Sequence, residues 1–177
     1  MLNLMLLRHA KSSLAAAGQG DFDRPLSGRG QSAATAMGRY MASKEAMPQL
    51  VLCSPARRAR ETLGLLAGEL KAMPETLIVP EIYDFGDGKA LIESLRDRAG
   101  AAQSVLLVGH NPPIGALAQN LAGKGSGLLR ERLRLKYPTA GLAVFSFDFD
   151  NWQSLAANTG TILRFVNPKD LGVDKDD

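Results

Sequence analysis

The 177-residue sequence is poor in side chains that bind metals or form disulfides. It contains one cysteine, Cys53, and two histidines, His9 and His110. One cysteine cannot form a disulfide within the chain. Two histidines far apart, without cysteines or carboxylates at metal-ligand spacing, do not indicate a metal site. We therefore expect no metal ion and no other cofactor, and the cysteine content gives no sign of export.

The sequence also lacks a strong charge imbalance and any apolar run long enough to cross a membrane. Its 21 basic and 18 acidic residues leave a formal net charge of +3, and the basic residues are spread along the chain. The apolar segment 1–7 has no basic region before it and is too short for a signal peptide or a transmembrane helix. We expect a cytoplasmic protein that binds neither nucleic acid nor a membrane.

Short apolar runs, by contrast, are frequent, and they alternate with amphipathic segments. Six runs predict buried strands, at residues 2–7, 50–53, 77–79, 105–108, 142–147 and 161–166. Apolar residues with the helical period lie between them, at 33–41, 59–70, 91–95 and 114–121. Strands that alternate with single helices predict an α/β fold, a three-layer α/β/α sandwich with a mostly parallel central sheet.

The length and the apolar content of 45% fit one domain with one sizeable core. We expect that domain to cover residues 1–168, followed by a charged tail, 169–177, that runs over the surface and frays. The segment 123–137 mixes glycines with alternating arginine and leucine. Its pattern fits a loop, a short helix or an edge strand.

Both histidines directly follow a predicted strand. His9 comes after Arg8 at the end of the first strand, His110 follows the fourth, and the second strand runs into a segment that contains Arg57 and Arg58. Ligands of open α/β sheets bind beyond the carboxyl ends of the strands, where these groups would meet. One histidine at a strand end is usually a structural residue. Two of them, with arginines at a third strand end, indicate a catalytic site.

A histidine that accepts a phosphoryl group needs a neutral ring with one nitrogen free and the other held by a hydrogen bond, which a backbone carbonyl could accept. The anionic phosphoryl group needs fixed donors, and arginine or a protonated histidine can supply them. Arg8, Arg58 and His110 fit those roles around His9. Neighbouring residues of a strand point to opposite faces, so the chain must turn near Ala10 if Arg8 and His9 share one pocket.

Four segments together resemble a known family. They are Leu-Arg-His-Ala-Lys-Ser at 7–12, Arg-Pro-Leu-Ser-Gly-Arg-Gly at 24–30, Ser-Pro-Ala-Arg-Arg-Ala-Arg-Glu-Thr at 54–62 and Val-Gly-His-Asn-Pro at 108–112. In this order they are similar to the histidine phosphatase superfamily, and most of all to its SixA-like phosphohistidine phosphatase branch. The resemblance extends from residue 2 to about residue 168.

The resemblance implies roles for individual residues. His9 would be the nucleophile, Arg8 and Arg58 would bind the phosphate, and His110 would stabilise the group in transfer. Arg58 is preferred to Arg57 because the arginine of the family pattern directly precedes an alanine. Arg24 would lie near the site, where it either contacts the substrate or pairs with a neighbouring aspartate.

The resemblance leaves the proton donor for the leaving group open. Many relatives use a glutamate from an inserted segment or an aspartate directly after the second histidine, but that position here is Asn111. Glu81 and Asp84 are the local candidates, although the sequence favours an ordinary surface carboxylate at each position. A phosphohistidine substrate would need a strong acid less, because its leaving imidazole can take a proton on the nitrogen away from phosphorus.

The sequence therefore predicts a metal-independent phosphohydrolase with a phosphohistidine intermediate on His9, acting on phosphohistidine in a partner protein. Two alternatives stay open: an enzyme of the same superfamily that acts on a small phosphate ester, as a phosphomonoesterase or a mutase, and a phosphate-binding module without turnover. A cysteine-dependent phosphatase is excluded by spacing, because such enzymes carry an arginine six positions after the cysteine, where this chain has Ala59.

Overall fold

The computed structural model describes residues 1–44, 46–72 and 74–173. Within these residues, seven strands form one sheet: β1 (Leu2–Arg8), β2 (Leu50–Cys53), β3 (Glu75–Ile78), β4 (Ser104–Gly109), β5 (Ala122–Gly125), β6 (Leu142–Phe147) and β7 (Gly160–Val166). The same ranges contain five α-helices: α1 (Gly28–Ser43), α2 (Arg57–Ala67), α3 (Lys89–Arg98), α4 (Pro113–Leu121) and α5 (Gly127–Leu135). None of the described helices combines the length and the apolar character that a membrane crossing requires.

The sheet is mostly parallel, as the sequence predicts. Its strands follow the order β3-β2-β4-β1-β6-β7-β5. The first four of these run parallel to one another, and β5 runs parallel to β7. The exception is β6, which pairs antiparallel with both β1 and β7. The carboxyl ends of β1, β2 and β4 therefore share one edge of the sheet.

Helices cover both faces of the sheet, which confirms the three-layer sandwich. Alternate residues of β1 show the division. Leu4 and Leu6 belong to the core beneath α3, α4 and α5, whereas Met5 and Leu7 belong to the core beneath α1 and α2. The continuous apolar runs of the sequence are thus strands buried from two sides, as expected for a sheet between two helical layers.

Two elements differ from the sequence predictions. The undecided segment 123–137 contains the end of β5 and all of α5. The strand expected at 77–79 is β3, which begins earlier, at Glu75, and whose residues are exposed or only half-buried. The prediction that every strand is buried on both faces is wrong for β3, because it is the edge strand and the helices cover it only in part.

The chain after β7 is folded against α1. Residues Pro168–Leu171 form a short 3-10 helix, and the Asp170 carboxylate accepts a hydrogen bond from Arg132 at 2.7 Å. Leu171 and Val173 pack against buried residues of the helical layer. The expected fraying is therefore wrong for residues 169–173. The division of the chain at residue 168 stays a prediction, and residues 174–177 lie outside the described part.

Candidate active site

Three strand ends bring the predicted site residues together. His9 follows β1 and His110 follows β4, and these two strands pair so that Arg8 lies opposite Gly109. Arg58 lies in the first turn of α2, which follows β2. The two imidazole rings have centroids 5.0 Å apart, and Arg58 contacts both rings. All three side chains are buried, at 8%, 3% and 1% exposure for His9, Arg58 and His110.

The hydrogen bonds of His9 fix its tautomer. Nδ1 lies 2.8 Å from the carbonyl oxygen of Ala10. A carbonyl only accepts, so Nδ1 carries the proton and Nε2 keeps its lone pair. Nε2 accepts a hydrogen bond from Nε of Arg58 at 3.2 Å. The Ala10 amide in turn donates to Oγ1 of Thr62 at 2.9 Å, which holds the carbonyl that orients the ring.

Burial keeps His9 neutral at pH 7. Desolvation, with the charges of Arg58, Arg8 and Arg24, outweighs the Ala10 hydrogen bond and lowers the pKa of His9 to about 4. A neutral ring with an unprotonated Nε2 is the form that can attack an electrophile. The backbone-held ring that the sequence suggested is therefore the arrangement found here.

His110 is also neutral. Its Nδ1 lies 3.3 Å from Nη2 of Arg58, which can only donate, so Nε2 carries the proton and donates to Oγ of Ser54 at 2.7 Å. Burial, together with the neighbouring His9 and Arg58, lowers the pKa of His110 to about 3. Burial and the neighbouring Arg58 and Arg8 oppose a positive charge on His110 in this arrangement, and the protonated form expected from the sequence stays a prediction for the stage of phosphoryl transfer.

Arg58 is held by Asp21 as well as by the two histidines. Its Nη1 donates to the Asp21 carbonyl at 2.6 Å and its Nη2 to the Asp21 carboxylate at 2.9 Å. Tyr83 donates its hydroxyl to the same carboxylate at 3.0 Å. Partial burial opposes ionisation of Asp21, but hydrogen bonds from Arg24 and Tyr83 and the charge of Arg58 prevail and lower its pKa to about 2.

Arg8 and Arg24 flank the histidines in different ways. Nη1 of Arg8 donates to the carbonyl of Tyr137 at 2.8 Å, and the Arg8 side chain lines a basic cavity beside the site. Arg24 donates to the Asp21 carboxylate at 2.9 Å and to Oγ of Ser12 at 2.8 Å. Of the two roles left open for Arg24, pairing with an aspartate is therefore present in the structure. Its charge also contributes to the lowered pKa of His9.

Comparisons with known proteins agree with this geometry. The sequence model of the histidine phosphatase superfamily (branch 1) matches residues 4–84. An uncharacterised protein of Mycobacterium tuberculosis is 31% identical over 165 residues, which cover 92% of this chain and 100% of that protein. A crystal structure from Agrobacterium tumefaciens, of a protein assigned as a phosphohistidine phosphatase SixA, is 31% identical with a TM-score of 0.78, and the match covers 94% of this chain and 98% of that one.

The chain belongs to the histidine phosphatase superfamily.

Within that superfamily the chain is a phosphatase of the SixA-like branch. The phosphohistidine phosphatase SixA of Escherichia coli K12 is 28% identical over 123 residues, which cover 68% of this chain and 74% of that protein.

The two candidate proton donors of this histidine phosphatase lie differently. Glu81 is exposed and pairs with Arg98 of α3 at 2.9 Å. Asp84 stands between Tyr83 and Phe85, whose rings contact His110 at centroid distances of 5.3 and 5.4 Å. The Asp84 carboxylate lies close to Gly86, two residues later in the same segment. Neither carboxylate makes a described hydrogen bond to His9, Arg58 or His110.

Asn111 has a structural role in this histidine phosphatase. Its Nδ2 donates to the Tyr137 carbonyl at 3.1 Å and its Oδ1 accepts from the Gly115 amide at 3.2 Å. Both ends of the amide are therefore engaged at the start of α4. Among the described residues, no three His, Cys, Asp or Glu side chains lie close enough to share a metal ion.

Sequence reasoning missed four residues that hold the site. Asp21 and Tyr83 position Arg58 from one side, and Ser54 and Thr62 contact His110 and the Ala10 amide from the other. Thr62 could have been found, because it follows Arg58 by four positions on a helix and shares its face. Asp21 and Tyr83 carry no such local signal, since they lie on separate loops that meet only in the folded chain.

Proposed function

We propose that this phosphatase removes the phosphoryl group from a phosphohistidine on a partner protein, with His9 as the phosphoryl acceptor and without a metal ion. The observation that carries the proposal is the state of His9. Its Nε2 is unprotonated, its Nδ1 is fixed by the Ala10 carbonyl, and a buried arginine and a second histidine stand beside it. This is the arrangement that nucleophilic attack on phosphorus requires.

The reaction proceeds in two displacements at phosphorus. In the first, Nε2 of His9 forms a bond to phosphorus while the bond between phosphorus and the substrate imidazole breaks, and that imidazole takes up a proton from water on its remote nitrogen. In the second, water attacks the phosphohistidine, the bond to Nε2 breaks, and inorganic phosphate leaves with His9 restored. Arg58 donates to the phosphoryl oxygens in both steps, which costs it the hydrogen bond to Nε2.

An anion between the rings also changes the proton balance of His110. Its pKa is low because of burial and positive neighbours, and a phosphoryl dianion reverses the sign of the local charge. His110 can then bind a proton at Nδ1 and donate it to a phosphoryl oxygen, while Nε2 stays bonded to Ser54. The protonated form predicted from the sequence belongs to this stage.

The choice of phosphohistidine as the substrate rests on the acid that the leaving group needs. Asn111 cannot supply a proton, and Glu81 is engaged with Arg98 at the surface. An imidazole leaves as a neutral molecule once it is protonated on its remote nitrogen, so it depends least on an enzyme acid. The name of the Escherichia coli relative supports the same substrate. The predicted cytoplasmic location belongs to this proposal as well.

Replacement of the acceptor tests the mechanism. We expect His9→Ala to abolish turnover and to leave the circular dichroism spectrum unchanged, because His9 lies beyond a strand and outside the apolar core. Wild type, incubated briefly with substrate and quenched with alkali, should carry acid-labile phosphate on His9. Turnover by the folded variant, or label on the buried thiol of Cys53, would contradict the proposal.

A substrate series tests the specificity. With a chelator present, kcat/KM should be highest for a phosphohistidine protein, lower for p-nitrophenyl phosphate and lowest for a sugar phosphate. A sugar phosphate that reacts faster than both would assign the enzyme to small esters and direct the search for an acid to Asp84. If the protein bound phosphate but hydrolysed none of these substrates, the remaining alternative would be a phosphate-binding module without turnover.

A further inference from the structure

A basic cavity opens beside the active site. Its volume is about 740 Å³, and it lies between the start of α1, the end of α5 and the 3-10 helix Pro168–Leu171. Its described lining includes no aspartate or glutamate. Six basic side chains line it: Arg8, Lys11, Arg29, Arg132, Lys136 and Lys169. The whole chain has a net charge of only +3, so six basic side chains around one cavity are a local excess of positive charge.

The charges of the cavity are only partly compensated by the fold. Arg132 is paired with Asp170 at 2.7 Å. Arg8 donates through Nη1 to a neutral carbonyl, and its buried Nε has no hydrogen-bond partner among the described residues. Lys11, Lys136 and Lys169 are exposed at the surface of the molecule. The cavity therefore presents a positive potential to solvent, with one buried donor on its wall.

The cavity is joined to the active site through Arg8. This residue precedes His9 in the chain, and its charge is close enough to lower the pKa of both His9 and His110. A ligand that reaches Arg8 from the cavity is therefore next to the phosphoryl acceptor. Lys11, two positions after His9, extends the same surface toward the loop before α1.

The make-up of the cavity favours an extended acidic chain over a single small anion. A cavity of this size is far larger than one phosphate ion. Three of its six cations are lysines, whose ammonium groups are point charges on flexible stems and do not form a fixed bidentate cradle. Ala33, Leu135, Pro138 and Val173 add apolar surface between the charges. Such a mixture suits carboxylates spaced along a peptide.

We propose that this cavity binds an acidic segment of the protein that carries the phosphohistidine. The inference rests on the proposed function, because it assigns the docking site of that same substrate. The cavity would raise the rate of encounter between the two proteins and place the segment so that the phosphorylated side chain enters beside Arg8. A small phosphate ester is too short to use it.

Charge reversal at two lysines tests the docking site. In Lys136→Glu/Lys169→Glu, kcat/KM for the phosphohistidine protein should fall about tenfold or more, while p-nitrophenyl phosphate should be hydrolysed at a rate within about twofold of wild type. The matched control is Lys71→Glu, an exposed lysine outside the cavity lining, which should change neither rate. The neutral pair Lys136→Gln/Lys169→Gln should give an intermediate loss and replaces the double reversal if that variant does not fold. Equal losses for both substrates, or equal losses in the control, would overturn the proposal.

A binding measurement separates this inference from the proposed function. A fluorescein-labelled decaglutamate peptide should bind wild type by fluorescence polarisation, more weakly as salt rises, and about tenfold more weakly to the double variant. This holds whether or not the wild type hydrolyses phosphohistidine, so an inactive wild type with intact peptide binding would defeat only the proposed substrate. Peptide binding that is equal in wild type, control and double variant would defeat the docking site. If inorganic phosphate bound through Lys136 and Lys169 and did not compete with the peptide, the cavity would be assigned to a small anion. That result would also overturn the docking site.

Discussion

Arg57 and Arg58 are adjacent in the sequence, but only one of them reaches the histidines. Arg58 donates to Nε2 of His9, to Nδ1 of His110 and to Asp21, whereas Arg57 lies at the surface and pairs with Glu61 at 2.6 Å. We expect Arg58→Ala to lower kcat by about 100- to 1000-fold, because one lost donor to developing charge has that effect.

The neighbouring variant is the matched control. Arg57→Ala removes an exposed pair four positions apart on a helix, which contributes less than about 1 kcal/mol to stability, so kcat should stay near that of wild type. Steady-state kinetics of both variants, with thermal denaturation to check folding, measures the difference. Similar small losses would mean that Arg58 does not bind the phosphoryl group.

Asp21 binds the same Arg58 guanidinium group that the proposed mechanism assigns to the phosphoryl oxygens. Its carboxylate lies 2.9 Å from Nη2 of Arg58 and is ionised above a pKa of about 2. Asp21→Asn keeps an oxygen for the hydrogen bond but removes the charge. We expect inorganic phosphate to inhibit this variant about three- to tenfold more strongly than wild type, which corresponds to a partly exposed ion pair of about 1 kcal/mol. Weaker inhibition would show that the aspartate supports the anion site by orienting Arg58.

At the scale of elements, the start of α1 is packed against the loop that follows His9. Oγ of Ser27 accepts from the Gly30 amide, and the Ser27 amide donates to the carbonyl of Lys11. A Cβ at position 30 would lie 2.0 Å from that same carbonyl oxygen, so only glycine allows this approach. Gly30→Ala must shift either the helix or the loop.

We expect Gly30→Ala to lower the free energy of unfolding by about 1–3 kcal/mol and to reduce kcat/KM as well, because the displaced loop directly follows the acceptor His9. Gly28→Ala is the control in the same helical turn, since a Cβ there meets nothing within 4 Å and alanine favours the helix. Urea unfolding of the two variants tests the difference. Equal stability would show that α1 and the loop can separate without cost.

The elements that the sequence predicts best are those whose own residues carry the signal. The apolar runs of β1, β4 and β6 and the periodicity of α2 and α4 appear in the chain itself. The strand β5 does not, because Ala-Gly-Lys-Gly has almost no apolar content and is a strand only through backbone pairing with β7. Gly123 lies there against the backbone of Asn158, an approach that tertiary structure alone determines.

The same distinction applies to the site. His9, Arg58 and His110 follow strands and are found from that position. Asp21 and Tyr83 act through loops whose meeting point depends on the whole fold. The lowered pKa of His110 is not predictable from the sequence for a related reason, because a buried set of positive neighbours is not visible in the sequence around one residue.

At the scale of the whole molecule, the two buried histidines make stability depend on pH. Their pKa values in the folded chain, about 4 and about 3, are below the ordinary value of 6.5, so the unfolded chain binds more protons between these limits. Stability therefore falls as pH falls through this window. Between pH 7 and pH 5 each histidine should lower the free energy of unfolding by about 1–2 kcal/mol.

Urea unfolding at the two pH values measures this effect. The chain has only two histidines, so His9→Gln/His110→Gln should lose most of the dependence. A wild type whose stability is the same at pH 7 and pH 5 would show that the rings are protonated in the folded protein.

The position of β1 at the centre of the sheet has a consequence for synthesis on the ribosome. Both neighbours of β1 come much later in the chain, because β4 begins at residue 104 and β6 at residue 142. The backbone of His9 is held by Gly109 and Ala140, and Arg8 bonds to a residue 129 positions away. A growing polypeptide thus carries its reactive histidine and an unpaired apolar strand until β4 and β6 have been synthesised, and chaperones can cover the strand in that interval. A polypeptide from interrupted synthesis therefore contains the nucleophile but lacks the folded active site.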